Sequence, residues 1–419
     1  MRTTVVSTAV PNERSGSGAS ITLALIAQAL HDRGHEVSLC PVVFPEYVTP
    51  DGAGHEEQLQ HAASLGYSLE PVVSEGWRPR APAGGLVARV RRVWRPPPYE
   101  LYPTLADGDA VADAVAGLRP DAVLVYGFPA VAAARSVAVP RFAATSDPPH
   151  LPLREQARRR WRRERNPVRI AREAVILRGM VRAHVRLARE LLRGYDAVGA
   201  FGPQHADWIR SLGIPCDYYR TPIADPSPVP ARPAGSRPTI LLVGHLRGTA
   251  TLNGLDMFRA VLPELERRLG RDGFVVRVVG GYEPPPELVG LMRHPAVQLA
   301  GFVEDIAAEF RSADVLLVPV STRLGVRVRI LTGFAFGACI VAHAANAAGI
   351  PELEHERNAL LASDAAGLAH EVARAVDDRA LRERLGAGAR ATYEQTFAPD
   401  VAGRPLARTL ERIAGVAAA

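Results

Sequence analysis

Arg327 and Arg329 stand two residues apart in GVRVRILTGF, where the apolar residues begin to follow helix spacing. Two guanidinium groups beside the free N–H groups of a helix start make an anion site, because fixed charge and oriented dipoles act on one point. Arg247, in GHLRGT after an apolar run, is a further cation, with His245 two residues before it. Thr332 offers a hydrogen bond but no charge. Nearer the N-terminus, Gly16 and Gly18 in SGSGAS follow an apolar run and precede a helical pattern, so backbone N–H groups there can approach a phosphate; the same glycines also suit a plain tight turn. Asp147 and His150, in TSDPPHLP, follow the run RFAAT. A carboxylate and an imidazole at a strand end are candidate catalytic groups, to bind a hydroxylated substrate or move its proton, although His150 also suits a cap on local backbone.

Composition narrows the chemistry. The chain of 419 residues has a net charge of +6, and its 50 basic residues are all arginine. Without lysine, a Schiff base, a pyridoxal phosphate site and a P-loop lysine are all excluded. Phosphate must then be held by arginine, backbone N–H groups and helix N-termini. The three cysteines, Cys40, Cys216 and Cys339, lie far apart, which predicts free thiols in a reducing compartment and no metal site. The opening MRTTVVST is too short and polar for a signal-peptide core, and no apolar run reaches the ~18 residues of a membrane helix. These features predict a cytoplasmic protein.

The elements that must position these residues alternate between two periods. Residues 3–8 read as a strand, 21–31 as a helix and 36–39 as a strand, which is a βαβ unit. Buried strands are predicted at 122–126, 141–145 and 197–201. Between 223 and 238 prolines crowd the chain as in a stiff linker, and alternation then resumes. Strands follow at 239–244, 275–279, 297–299, 315–319 and 338–342, with a helix over 255–269. The prediction is an α/β protein of two Rossmann-like, doubly wound domains facing across a cleft, residues 1–222 and 239–398, with a helix over 399–419 packing back on the first domain. Residues 153–193 read as a basic helical stretch containing REQARRRWRRER. That run suits a solvated helix or a peripheral contact with an anionic membrane; it lacks a nucleic-acid-binding motif.

The second half resembles glycosyltransferase family 4. The segments that carry the likeness, in order, are LLVGHLRGTATLNGLDMF (241–258), VRVVGG (276–281), LAGFVEDIAAEFRSADVLLVPV (299–320), GVRVRILTGFAFGACIVAHAANAAGIPEL (325–353) and NALLASDAAGLAHEVARAVDDRALRERLGAGAR (358–390). The likeness implies a GT-B fold and a retaining glycosyltransferase that takes a sugar from a UDP- or GDP-sugar to a hydroxyl or thiol acceptor. It places Gly16, Gly18, His245, Arg247, Arg327, Arg329 and Thr332 at the donor, with Arg329 where the family binds the donor phosphate. The nucleotide-sugar is a co-substrate, and no cofactor or metal is implied. The acceptor is a small molecule or a glycoconjugate, as in natural-product or glycoconjugate biosynthesis. Two family carboxylates are missing, since Thr332 and Leu324 stand in their places, and Ala348 replaces a third. The alternative is therefore a non-catalytic relative that kept the fold as a binding subunit.

Overall fold

A computed structural model describes residues 1–12, 17–47, 53–74, 96, 98–226, 237–323 and 325–415. Gly16, Leu324 and most of the proline-rich 223–238 segment lie outside the described residues. Among those described, three short strands and five longer ones form the first sheet, all parallel: β1 (Arg2–Ser7), β2 (Glu36–Val43), β3 (Ser68–Leu69), β4 (Val72–Val73), β5 (Ala122–Tyr126), β6 (Arg141–Thr145), β7 (Ala197–Ala200) and β8 (Asp217–Tyr218). Their order is β3-β2-β1-β5-β6-β7-β8, with β4 paired to β2. The second sheet comprises β9 (Thr239–Val243), β10 (Val275–Val279), β11 (Val297–Gly301), β12 (Val315–Val318), β13 (Ile340–His343) and β14 (Leu360–Ala362) in the order β11-β10-β9-β12-β13-β14.

Parallel strands buried on both faces need apolar residues at every position, and β5 (AVLVY) and β12 (VLLV) have them. Successive side chains point to opposite faces. Val123 and Val125 thus enter one core of the first domain while Ala122 and Leu124 enter the other. Leu317 and Leu316 divide in the same way between the two cores of the second domain. The order of each sheet reverses beside its first strand, between β1 and β5 and between β9 and β12. Loops diverge there at the carboxyl ends, so each domain opens a crevice, and the two crevices face each other.

Two helices differ from the sequence reading in ways that shape the site. The basic stretch is two helices, His150–Trp161 and Pro167–Leu192, because Pro167 cannot continue the first ladder and Asn166 starts the second. The Asn166 side chain accepts from the N–H groups of Val168 (3.0 Å) and Arg169 (3.3 Å). The helix expected from Leu255 begins six residues earlier and runs Thr249–Leu269, with Gly248 as its extended N-cap. Its first turn lies at the cleft.

The helix Pro399–Ile413 crosses back to the first domain, where Leu406, Ala407 and Leu410 enter a core beside Leu23 and Leu30. The Tyr219 hydroxyl meets the Thr409 hydroxyl at 2.7 Å, and His35 meets Glu411 at 3.1 Å. Among the described residues no helix is long and apolar enough to cross a membrane.

Candidate functional site between the domains

A cavity of about 500 Å³ lies between the two crevices. Its second-domain wall begins where β9 and β10 end. Gly244 and Gly280 approach so closely that a β-carbon on Gly280 would strike the Gly244 backbone, and a β-carbon on Gly244 would collide with Arg329 and Thr251. The glycines therefore let backbone and guanidinium share one corner. The turn His245–Gly248 leads into the helix Thr249–Leu269, which exposes its uncapped first-turn N–H groups at Thr249, Ala250 and Thr251.

Beside this corner lies the start of the helix Val328–Ala335, with Arg327 at its N-cap position. Arg327 is only 8% exposed, and its Nε and Nη2 have no hydrogen-bond partner. Burial pushes its pKa down, with Asp147 opposing the shift. Arg329 donates from Nη2 to the Thr251 hydroxyl at 2.9 Å; burial and the neighbouring Arg327 charge push its pKa down to about 9. Two guanidiniums without a hydrogen-bonded carboxylate, beside helix N-termini, create a positive field that Asp147 offsets in part and a bound anion would complete. Thr332, one turn further along, faces the same space.

The first domain supplies Gly18, Ile21, Asp147 and Pro152. A β-carbon on Gly18 would lie 3.7 Å from Val328 Cγ2, so the two domains are in close approach there. Asp147 packs against Gly325 of the second domain and sits 3.5 Å from His205 Nε2. Burial lowers the His205 pKa, Asp147 raises it and Arg327 lowers it. Asp147, His205 and Arg327 thus form one cross-domain charge cluster.

The cavity walls include Gly18, Asp147, His245, Arg327, Arg329 and Thr332. His150 is elsewhere. It begins the helix His150–Trp161, is buried, and sets its ring 5.1 Å from that of Trp208. Desolvation pulls its pKa down to about 4, so it is a neutral imidazole in the interior of the first domain. Arg247 lies over the Tyr282 ring at 5.2 Å, on the far side of the His245–Gly248 turn, and lines a neighbouring cavity. His245 stays at the main cavity with its ring 5.7 Å from Tyr282.

Sequence reasoning missed Phe302 and Glu304, which stand at the cavity rim. Asp305, the next residue, caps the helix Ile306–Ser312 by accepting from the Ala308 N–H at 3.0 Å. Gly244, read from the sequence as the end of the strand 239–244, also lines the cavity, as do Gly280 and Gly281. Among the described residues no cluster of three or more His, Cys, Asp or Glu could hold a metal ion.

Residues 237–378 match the family model described as Glycosyl transferases group 1. No curated protein sequence matches the chain. Solved structures align over nearly its whole length at low identity. A glycosyltransferase from Rickettsia africae has a TM-score of 0.65 at 12% identity, covering 98% of each chain. Sucrose-phosphate synthase from Thermosynechococcus elongatus has a TM-score of 0.64 at 14% identity, covering 99% of each chain. Anabaena HepE in complex with UDP-glucose has a TM-score of 0.64 at 14% identity, covering 98% of this chain and 100% of its own. The fold is GT-B. In GT-B terms, the paired arginines lie in the second domain, within the matched segment, and Asp147 of the first lines the same cavity.

Proposed function

We propose that this GT-B protein transfers a sugar from a nucleoside-diphosphate sugar, UDP- or GDP-linked, to a hydroxyl or thiol acceptor with retention of configuration. The observation that carries the reading is Arg327, a buried guanidinium with two unpaired nitrogens on the wall of the inter-domain cavity. Such a charge is costly unless a ligand completes it, and a diphosphate offers two negative groups to Arg327 and Arg329. The UDP-glucose bound by the HepE neighbour is a ligand of that class. It is a co-substrate, and the site is read with no further cofactor.

In the proposed reaction the bond from the sugar C1 to the β-phosphate oxygen breaks while the acceptor oxygen or sulfur bonds to C1 on the same face. The acceptor proton passes to the departing phosphate oxygen. Arg327, Arg329 and the N–H groups of Thr249–Thr251 stabilise the charge that grows on the leaving group. Asp147 touches Gly325 and lies beside His205 across the domain boundary, where it holds hydroxyls of the sugar or acceptor. Thr332 supplies a hydrogen bond to the donor where the family places a carboxylate.

Titration calorimetry with UDP, GDP, TDP and ADP, each with and without magnesium, tests the reading. One nucleoside diphosphate binds, without needing magnesium, and the corresponding sugar nucleotides release it when an acceptor is added. Binding of none of the four removes the donor reading. Binding of one without turnover on any sugar nucleotide favours the binding-subunit alternative, which the loss of charge at Thr332 motivates.

A further inference from the structure

A second cavity, of about 250 Å³, adjoins the first and shares Thr249 as a wall. It is lined by Gln156, Arg159, Arg160 and Arg163 from the helix His150–Trp161 and the turn after it, and by Arg247 and Thr249 from the second domain. Four arginines from two domains converge on one small space. Two are internally balanced: Arg159 pairs with Asp256 (2.7 Å) and Glu287 (3.1 Å), and Arg163 pairs with the same two carboxylates. The other two are not. Among the described residues Arg160 reaches only a long, exposed pairing of 3.6 Å with Glu173, which already accepts from the Trp161 indole N–H at 3.0 Å. Arg247 has a ring, Tyr282, in place of a carboxylate among the described residues.

The cavity therefore keeps an excess of positive charge, and the first turn of the helix Thr249–Leu269 adds its uncapped N–H dipoles from the side of Thr249. The volume exceeds the roughly 30 Å³ share of one liquid water several-fold, room enough for a phosphate or carboxylate and the ring atoms it hangs from. Arg327 and Arg329 already serve the donor diphosphate in the main cavity, and Thr249 stands between that cavity and this pocket.

We propose that this arginine pocket holds an anionic group, phosphate or carboxylate, carried by the acceptor, so that the substrate accepting the sugar is an anionic polyol such as a sugar phosphate. The inference rests on the donor reading above and narrows its acceptor class. Binding across Arg160 of the first domain and Arg247 of the second also ties acceptor capture to closure of the cleft.

Calorimetric titration of the full chain with glucose 6-phosphate, glucose and inorganic phosphate, with and without UDP, tests it. Glucose 6-phosphate binds at least tenfold more tightly than glucose, and Arg160→Ala and Arg247→Ala each weaken it five-fold or more. Raising the salt concentration weakens it further, as phosphate–arginine contacts require. Arg160 is exposed, so its replacement leaves the fold intact, as a thermal melt of the variant verifies. Binding of glucose 6-phosphate no tighter than glucose, or binding unaffected by both substitutions, overturns the pocket. Binding of inorganic phosphate alone with equal affinity assigns it to free anion instead and overturns the acceptor claim. The UDP titration in the same protein separates the two readings: UDP binding with no sugar-phosphate binding removes only this inference, whereas absence of UDP binding removes the donor reading.

Discussion

Arg327 carries a buried charge that Asp147 offsets through space without a hydrogen bond to its Nε or Nη2. Its Nε and Nη2 are buried without partners, next to a second guanidinium at Arg329. Removing such a charge and removing its ligand should act in opposite directions. Arg327→Met is expected to leave the thermal midpoint unchanged or raise it by a few degrees, while nucleoside diphosphate affinity falls ten- to hundredfold, the range of about 1.5–3 kcal/mol for a charge-assisted hydrogen bond. A melt and a titration on the same sample decide it. A lower midpoint with unchanged nucleotide affinity would make Arg327 a structural residue and remove it from the site. The arginine pair was singled out by type and spacing in a lysine-free chain, and both residues line the cavity. His150 was not legible as an interior residue: a histidine after Pro-Pro in a strand-end loop reads the same whether its ring turns to the cleft or, as here, to Trp208. Phe302 and Glu304 escaped for a related reason, since a cavity rim is made by two distant segments and no local pattern records it.

Elements were read more securely than the contacts between them. The strands at 122–126, 141–145 and 275–279 have the bounds expected from their unbroken apolar runs. Helix starts were less legible. The first turn of Thr249–Leu269 reads Thr-Ala-Thr-Leu, with one large apolar residue and so no apolar periodicity, yet this turn lines both cavities. The helix Pro399–Ile413 lies against Gly18–His31 at Gly403, where an added β-carbon would meet that of Ala29 at 2.6 Å. The Tyr219–Thr409 hydroxyl contact fixes the same helix further on. Gly403→Val is therefore expected to push the two helices apart and cost about 1–3 kcal/mol, typical of overpacking. Urea unfolding measures the loss, and hydrogen exchange should place the extra opening in 399–413. A substitution without effect would mean that the terminal helix contributes nothing to the first domain.

At the scale of the whole molecule, the two domains are joined at the mouth of the cleft by charge. Arg159 and Arg163 on one side interlock with Asp256 and Glu287 on the other, and Gln156 donates to the Thr249 hydroxyl at 3.2 Å. Deeper in, Asn253 donates to Glu155 at 3.1 Å while accepting from the Ser321 N–H at 2.8 Å. The run REQARRRWRRER is thus partly an inter-domain clamp, which accounts for two of its arginines without a membrane or a polyanion. Each pair is partly exposed, so each alone is worth at most about 1 kcal/mol, and only the four-charge network shifts the domain balance appreciably. Asp256→Ala with Glu287→Ala leaves both arginines facing each other unpaired. The expected result is a more open molecule: small-angle scattering shows a larger radius of gyration without ligand, and half-saturation with nucleotide moves up about three- to tenfold because closure must now be driven by the ligand. Raising the sodium chloride concentration to about 0.5 M should reproduce part of the opening in the unmodified chain and add little in the variant, since screening removes what the substitutions have already removed. If the double variant scatters like the parent at both salt concentrations, the closed arrangement is held by the buried Glu155–Asn253–Ser321 contacts, and the arginines at the cleft mouth are free to serve ligand alone.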